Sequence, residues 1–287
     1  MVLVPTLVWY VTIAFGPIVR AFWMAVIDYK LLDPSASEFV GLKNFRLLFD
    51  YDLFWTSAVN TLRFAAYQYI SILPLATIIA YCLSHVLRGR RIYEFVVFLP
   101  VVVSLVAVAL LFRTLMDPQI GVFNRVLRSL GLPTSRWLTG PESALASVAA
   151  VSVWKDIGFY VVLITAGFLN IPSEMYDAAK VDGANPWQTF WRVTMPLMSH
   201  TYTLVAVLLA IFSVQVYTSV VVMTGGGWYG DTGGPANATY VINLLVVREA
   251  FTGLRFGFAT AASFSLFLFI LVVTIIQLRV TRTGWEY

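Results

Sequence analysis

The sequence predicts an all-α membrane protein of about six transmembrane helices, forming a single domain over residues 1–287. Three observations predict it. Of the 287 residues, 59% are hydrophobic and only 12% are charged, with a mean hydropathy of +0.80. Ordinary soluble domains carry roughly 25% charged residues, so the charge deficit decides the class. The apolar residues also fall into runs long enough to cross a bilayer, which takes about 20 residues of helix. Finally, polar intervals separate the runs, and one of them carries helix caps of its own. The spans are expected at 1–27, 64–87, 95–116, 144–170, 197–223 and 256–279, with a structured loop at 171–196.

Met1–Val19 is uncharged and runs on past Arg20 to Ile27. It has no basic leader and no small-residue cleavage site, so it reads as a retained first helix rather than a signal peptide. Val40–Phe45 and Asn60-Thr61 are expected to pack on helix ends. Phe64–Ser84 is uncharged and holds Pro74, which a membrane helix tolerates because neighbours re-satisfy the freed carbonyl. Arg88-Gly89-Arg90-Arg91 is the densest basic cluster. A tight cationic turn between spans argues for the cytoplasmic side, although the cations as a whole show no bias between the two sides.

Phe95–Phe112 forms the third span. Asp117–Glu142 reads as an amphipathic surface helix, with Phe123, Val126, Leu127 and Leu130 set against Asn124, Arg125, Arg128 and Ser129. Gly131-Leu132-Pro133 ends it, and Trp137-Leu138 returns to the interface. Ala144–Trp154 and Ile157–Ser173 make the fourth span, interrupted by Lys155-Asp156. Adjacent residues on a helix diverge by about 100°, so these two are not expected to pair with each other. They stand either at a solvated outer mouth or on a solute path, about 22 Å up the helix from residue 171. Leu197–Met223 is the fifth span, with Gln215 near its middle. A Gly-rich segment follows to Pro235, then the sixth span and a basic tail, Arg279–Tyr287.

The interval 171–196 reads as two short helices and a corner. Ser173 is a plausible N-cap of the first, which stops at Asp182-Gly183, where glycine accepts positive φ. Asn185 caps the second, and Pro186 takes its first position, where a missing N–H costs nothing. Ala178, Ala179, Gly183 and Ala184 leave the corner thin, so another surface can approach closely.

Several chemistries are excluded. The net charge of +4 comes from scattered cations, not a nucleic-acid patch. Cys82 is the only cysteine, so no intrachain disulfide or cysteine metal cluster exists, and His85 and His200 lack carboxylates at ligand spacing. No Gly-Lys dipeptide occurs, so the chain is not itself a P-loop ATPase. Gly225–Gly230 satisfies G-x-G-x-x-G formally, but it follows a membrane run and not the strand of a βαβ unit. No catalytic set is present.

Asp177-Ala178-Ala179, Asp182-Gly183-Ala184, Phe190 and Val193-Thr194-Met195-Pro196 resemble the "EAA" cytoplasmic loop of carbohydrate-type ABC-importer permeases, related to the maltose and glycerol-3-phosphate systems. Asp177 stands for the usual Glu, and Val193 and Met195 for Ile and Leu. The resemblance extends from 40 to 280 through Gly41-Leu42-Lys43-Asn44-Phe45, Asn60-Thr61, Trp154–Phe159 and the Gly-rich turn. It implies a type I ABC importer permease fold in a bacterial cytoplasmic (inner) membrane. It also implies a loop that docks on a separate ATPase through Glu174, Tyr176, Asp177, Ala178, Ala179, Asp182, Gly183, Ala184, Pro186 and Phe190.

The family carries its sugar on the helices flanking that loop. This implies a substrate path of Lys155, Asp156, Phe159, Phe212, Ser213, Gln215, Val216 and Tyr217, with packing between helices as the other reading of Phe212 and Tyr217. Val216 replaces a polar residue of the maltose system. The implied partners are a second permease, two ATPase subunits that hold ATP and magnesium, an external solute-binding protein or lipoprotein, and the bilayer. No cofactor is expected on this chain. A phosphate-bearing solute is the alternative within the class, since Arg63, Arg113 and Lys155 could serve an anion. An ion-coupled transporter is the alternative outside it.

Overall fold

In hydrocarbon a backbone must satisfy its own N–H and C=O groups, so the charge-poor runs form helix. The structure, a computed structural model, describes residues 3–31, 33–86, 88–225 and 233–280. In chain order its helices are α1 (Val4–Ala25), α2 (Lys43–Phe49), α3 (Asp52–Ser84), α4 (Arg90–Val102), α5 (Leu105–Leu115), α6 (Val122–Ser129), α7 (Ala144–Leu169), α8 (Ser173–Val181), α9 (Pro186–Leu197), α10 (Ser199–Val214), α11 (Thr218–Met223), α12 (Ile242–Phe251) and α13 (Phe256–Val280). Among the described residues four of these, α1, α3, α7 and α13, are long and apolar enough to cross a membrane, or six such spans when each of two bent pairs is counted as one. A two-residue ladder between β1 (Ile27–Asp28) and β2 (Glu38–Phe39) closes the turn after α1.

The spans differ from the sequence reading in four places. The second expected span belongs to a longer helix, α3, which starts earlier, at Asp52, and ends at Ser84. The third is two helices, α4 and α5, meeting at 87°. Val103 and Ser104 take extended backbone there, with ψ of 141° and 127°. The fifth is also broken. α9 meets α10 at 67°, and α10 ends at Val214, with Gln215–Tyr217 non-helical before α11. By contrast α7 is continuous: Lys155-Asp156 does not interrupt it.

Small residues set the closest approaches. A Cβ on Gly158 of α7 would lie 2.2 Å from the Val97 carbonyl oxygen of α4. One on Gly257 of α13 would lie 2.4 Å from the Ile27 oxygen. Small side chains at helix crossings are how membrane helices gain packing contact without a hydrophobic driving force.

The polar residues at the end away from residues 171–196 are structural. Asn44 Nδ2 donates to the Ala25 and Ile27 carbonyls, each at 2.9 Å. Asn60 Nδ2 donates to Asn237 O and Tyr240 O, and the Ile242 N–H donates to Thr61 Oγ1. α6 is shorter than the amphipathic stretch suggested, and Asn124 does not share its polar face. Asn124 is buried, donates to Pro118 O and Ser135 O, and accepts from Ser135 N and Trp137 Nε1. Just ahead of it, the Ile120 and Gln119 backbone N–H groups hold the Asp117 carboxyl below the usual carboxylate range.

Among the described residues the buried side chains form two clusters. One, around Phe54, Phe64, Val148, Tyr240 and Leu245, lies toward the end away from residues 171–196. The other, around Ile72, Ala80, Ile164, Phe168, Met198 and Leu209, lies toward the loop. Helix α3 runs through both and packs most extensively on α7.

Candidate functional site

A cavity of about 180 Å³ lies where the two clusters meet. Helix α3 contributes Phe64, Gln68 and Ile72, and α7 contributes Ser152, Asp156 and Tyr160. The three α7 residues recur at i, i+4 and i+8, one face of the helix. Leu209, Phe212, Ser213, Gln215, Val216 and Tyr217 close the other side, where α10 breaks, and Leu105 enters at the bend between α4 and α5. Both broken spans therefore open onto the cavity. Non-helical backbone at membrane depth is tolerated where it lines such a space or is buried in protein.

Of the expected path residues, the structure brings together Asp156, Phe212, Ser213, Gln215, Val216 and Tyr217. It leaves out Lys155 and Phe159. Phe159 packs toward the loop-end cluster, 5.3 Å from the Tyr160 ring. Lys155 is buried, and its Nζ donates to Val101 O at 3.3 Å and lies 3.5 Å from Asp156 Oδ1. The expectation that the two would not pair is corrected: the flexible lysine stem spans the angular gap between neighbours. Gln68 and Tyr160 were missed, although a lone amide in an otherwise apolar run is a readable signal. Gln68 Nε2 donates to Ala149 O at 3.2 Å.

Among the described residues, no Lys, Arg or His lines the cavity. Arg63 and Arg113 are exposed, and Arg113 Nη1 lies 3.4 Å from Val222 O. The wall therefore offers one carboxylate, amides, hydroxyls and aromatic faces. No group of three or more His, Cys, Asp or Glu able to hold a metal occurs among the described residues.

The loop at 171–196 is two helices with a defined corner. Gly183 has φ +73°. The Ala184 N–H donates to Ala179 O and the Gly183 N–H to Lys180 O, so the freed carbonyls at the end of α8 are satisfied. Asn185 and Gln188 form a reciprocal capping box at α9, with Gln188 N donating to Asn185 Oδ1 at 2.9 Å and Asn185 N to Gln188 Oε1 at 3.0 Å. Ser173 is not the N-cap. It is the first residue of α8, and Pro172 holds the cap position without a side-chain bond.

Glu174, Asp177, Ala178, Asp182, Gly183 and Pro186 are exposed, Tyr176, Ala184 and Phe190 are half-buried, and Ala179 is buried. Phe190 meets Tyr81 of α3 edge-on at 5.3 Å, which ties the loop to the span. Two large apolar side chains at the tip were missed. Val181 is 88% exposed and Trp187 71%. Residues 226–232 of the Gly-rich segment and 281–287 of the basic tail lie outside the described residues.

Bent spans around a cavity of mixed polar and apolar wall, joined to a capped two-helix loop, define a membrane permease subunit. The chain belongs to the family described as binding-protein-dependent transport system inner membrane component, which matches residues 72–283. The diacetylchitobiose uptake system permease protein NgcF of Streptomyces coelicolor is 31% identical, over 95% of this chain and 78% of its own. The crystal structure of a bacterial ABC transporter involved in the import of the acidic polysaccharide alginate aligns with a TM-score of 0.83 and 25% identity, over 99% of this chain and 95% of that one. The same comparison with a bacterial alginate ABC transporter in complex with alginate pentasaccharide-bound periplasmic protein gives 0.80 and 26%, with the same coverage. The chain is thus a multi-pass inner-membrane permease component of an ABC importer with the type I fold, and it works in a transporter complex with a solute-binding protein.

Proposed function

We propose that this permease passes a neutral sugar or oligosaccharide, delivered by an external solute-binding protein, through the cavity between α3, α7 and the break after α10. The observation that carries the reading is the chemistry of that wall. Aromatic faces at Phe212 and Tyr217 suit the apolar faces of sugar rings, and Gln68, Ser213, Gln215 and Asp156 suit hydroxyl edges. An acidic solute has the alginate importer in its favour, but an anion calls for Arg or Lys, and this chain turns its cations away.

A second, similar permease supplies the other half of the path. Two ATPase subunits hold ATP and magnesium, and this chain carries no cofactor. Residues 174–190 dock on an ATPase, with exposed Val181 and Trp187 at the contact. Closure of the ATPase pair moves this stiff corner and rocks the spans between inward-open and outward-open forms. The test is purification of the tagged chain from native membranes, with identification of the proteins that accompany it. A P-loop ATPase, a second permease and a binding protein whose eluted ligand is a neutral sugar are expected. A chain recovered alone, or a binding protein loaded with a phosphate ester, overturns the reading.

A further inference from the structure

Lys155 sits between the bend of the third span and the carboxylate on the cavity wall. On one side is the bend at Val103-Ser104. Helix α4 ends there, and its last carbonyls have no partner within the helix. Val101 O, one of them, receives Lys155 Nζ at 3.3 Å. A cation at the C-terminal end of a helix also meets the negative end of its dipole. On the other side is the cavity, where Asp156 Oδ1 lies 3.5 Å from the same Nζ. One turn along α7, Gly158 brings the two backbones so close that no side chain fits. The ammonium is therefore held near the bend, and Leu105, the first residue beyond it, lines the cavity.

We propose that Lys155 is a positioning residue that holds the bent third span and the Asp156 carboxylate as one unit, so that the bend responds to what engages Asp156. A solute that hydrogen-bonds the carboxylate competes with the lysine, and a loosened lysine releases the end of α4. The cavity then signals its occupancy to a neighbouring span through a single side chain.

The test needs no solute, so it stands or falls separately from the sugar reading. In the complex purified from native membranes, nitroxides are attached at Val96→Cys on α4 and Leu111→Cys on α5, in a Cys82→Ser background. All three native residues are exposed. Distances between the labels report the bend. A single narrow distribution is expected with Lys155 and Asp156 intact and with Lys155→Arg. A broadened, shifted distribution is expected with Lys155→Met and with Asp156→Asn. An unchanged distribution in Asp156→Asn overturns the proposal, because a lysine that merely caps Val101 O would not sense the carboxylate. Asp156→Asn keeps the side-chain shape and decides the matter even if Lys155→Met does not assemble.

Discussion

Two asparagines, on α3 and α6, show what the polar residues outside the cavity do. Asn124 satisfies three backbone groups of Pro118 and Ser135 together with the Trp137 indole. An unsatisfied buried polar group costs about 1–3 kcal/mol. Asn124→Leu is therefore expected to lower the thermal midpoint of the purified complex by several degrees while leaving its subunit composition unchanged. A midpoint equal to that of the parent would show that the segment holds itself. Asn60 plays the same part between α3 and the turn before α12. Glycines make a second contrast at this scale. Gly158→Ala places a carbon against the Val97 oxygen, and overpacking of this kind costs about 1–3 kcal/mol. A Cβ on Gly183 meets nothing within 4 Å, and only its positive φ resists substitution.

That difference makes the loop an element whose stiffness can be changed without disturbing the bundle. Gly183→Val puts a β-branched residue at φ +73°, where the left-handed region costs an L residue about 1–2 kcal/mol. The corner between α8 and α9 then re-forms, and its two freed-carbonyl bonds are lost. We expect the variant to assemble normally and to hydrolyse ATP with uptake reduced at least tenfold, read as solute moved per ATP in reconstituted vesicles. Unchanged coupling would remove the loop from the transmission path. The caps that build this corner were legible in the sequence, because Asp182-Gly183 and Asn185-Pro186 are local signals with local causes. The spans were legible for a similar reason, since a deficit of charge needs no partner to be read. The bends were not. Gln215–Tyr217 holds neither Gly nor Pro, and the one proline of the third span, Pro100, lies ahead of the break at Val103-Ser104. Their shape comes from tertiary contacts, such as Gly158 against Val97 and Lys155 on Val101. Lys155 was misplaced because angular spacing along a helix ignores the reach of a long stem.

At the scale of the molecule, the cavity lies at the meeting of two separately packed clusters, and that position has a mechanical meaning. Close-packed clusters move as bodies, and motion concentrates where packing is interrupted. Here the interruption coincides with two broken spans and with the cavity wall proposed for solute. If the solute passes at this junction, filling it blocks transport while each cluster stays intact. Ser213 is buried on α10 beside the break, its hydroxyl bonded to Ala210 O at 3.2 Å, and it lines the cavity. Ser213→Phe places a ring in a space of about 180 Å³. Uptake is expected to fall more than tenfold through the maximal rate, with the complex recovered at parental yield and still hydrolysing ATP. A rise in the half-saturation constant with the rate preserved would mean that the solute still passes beside the ring. Full uptake would place the path elsewhere and leave this cavity a packing defect between the two clusters.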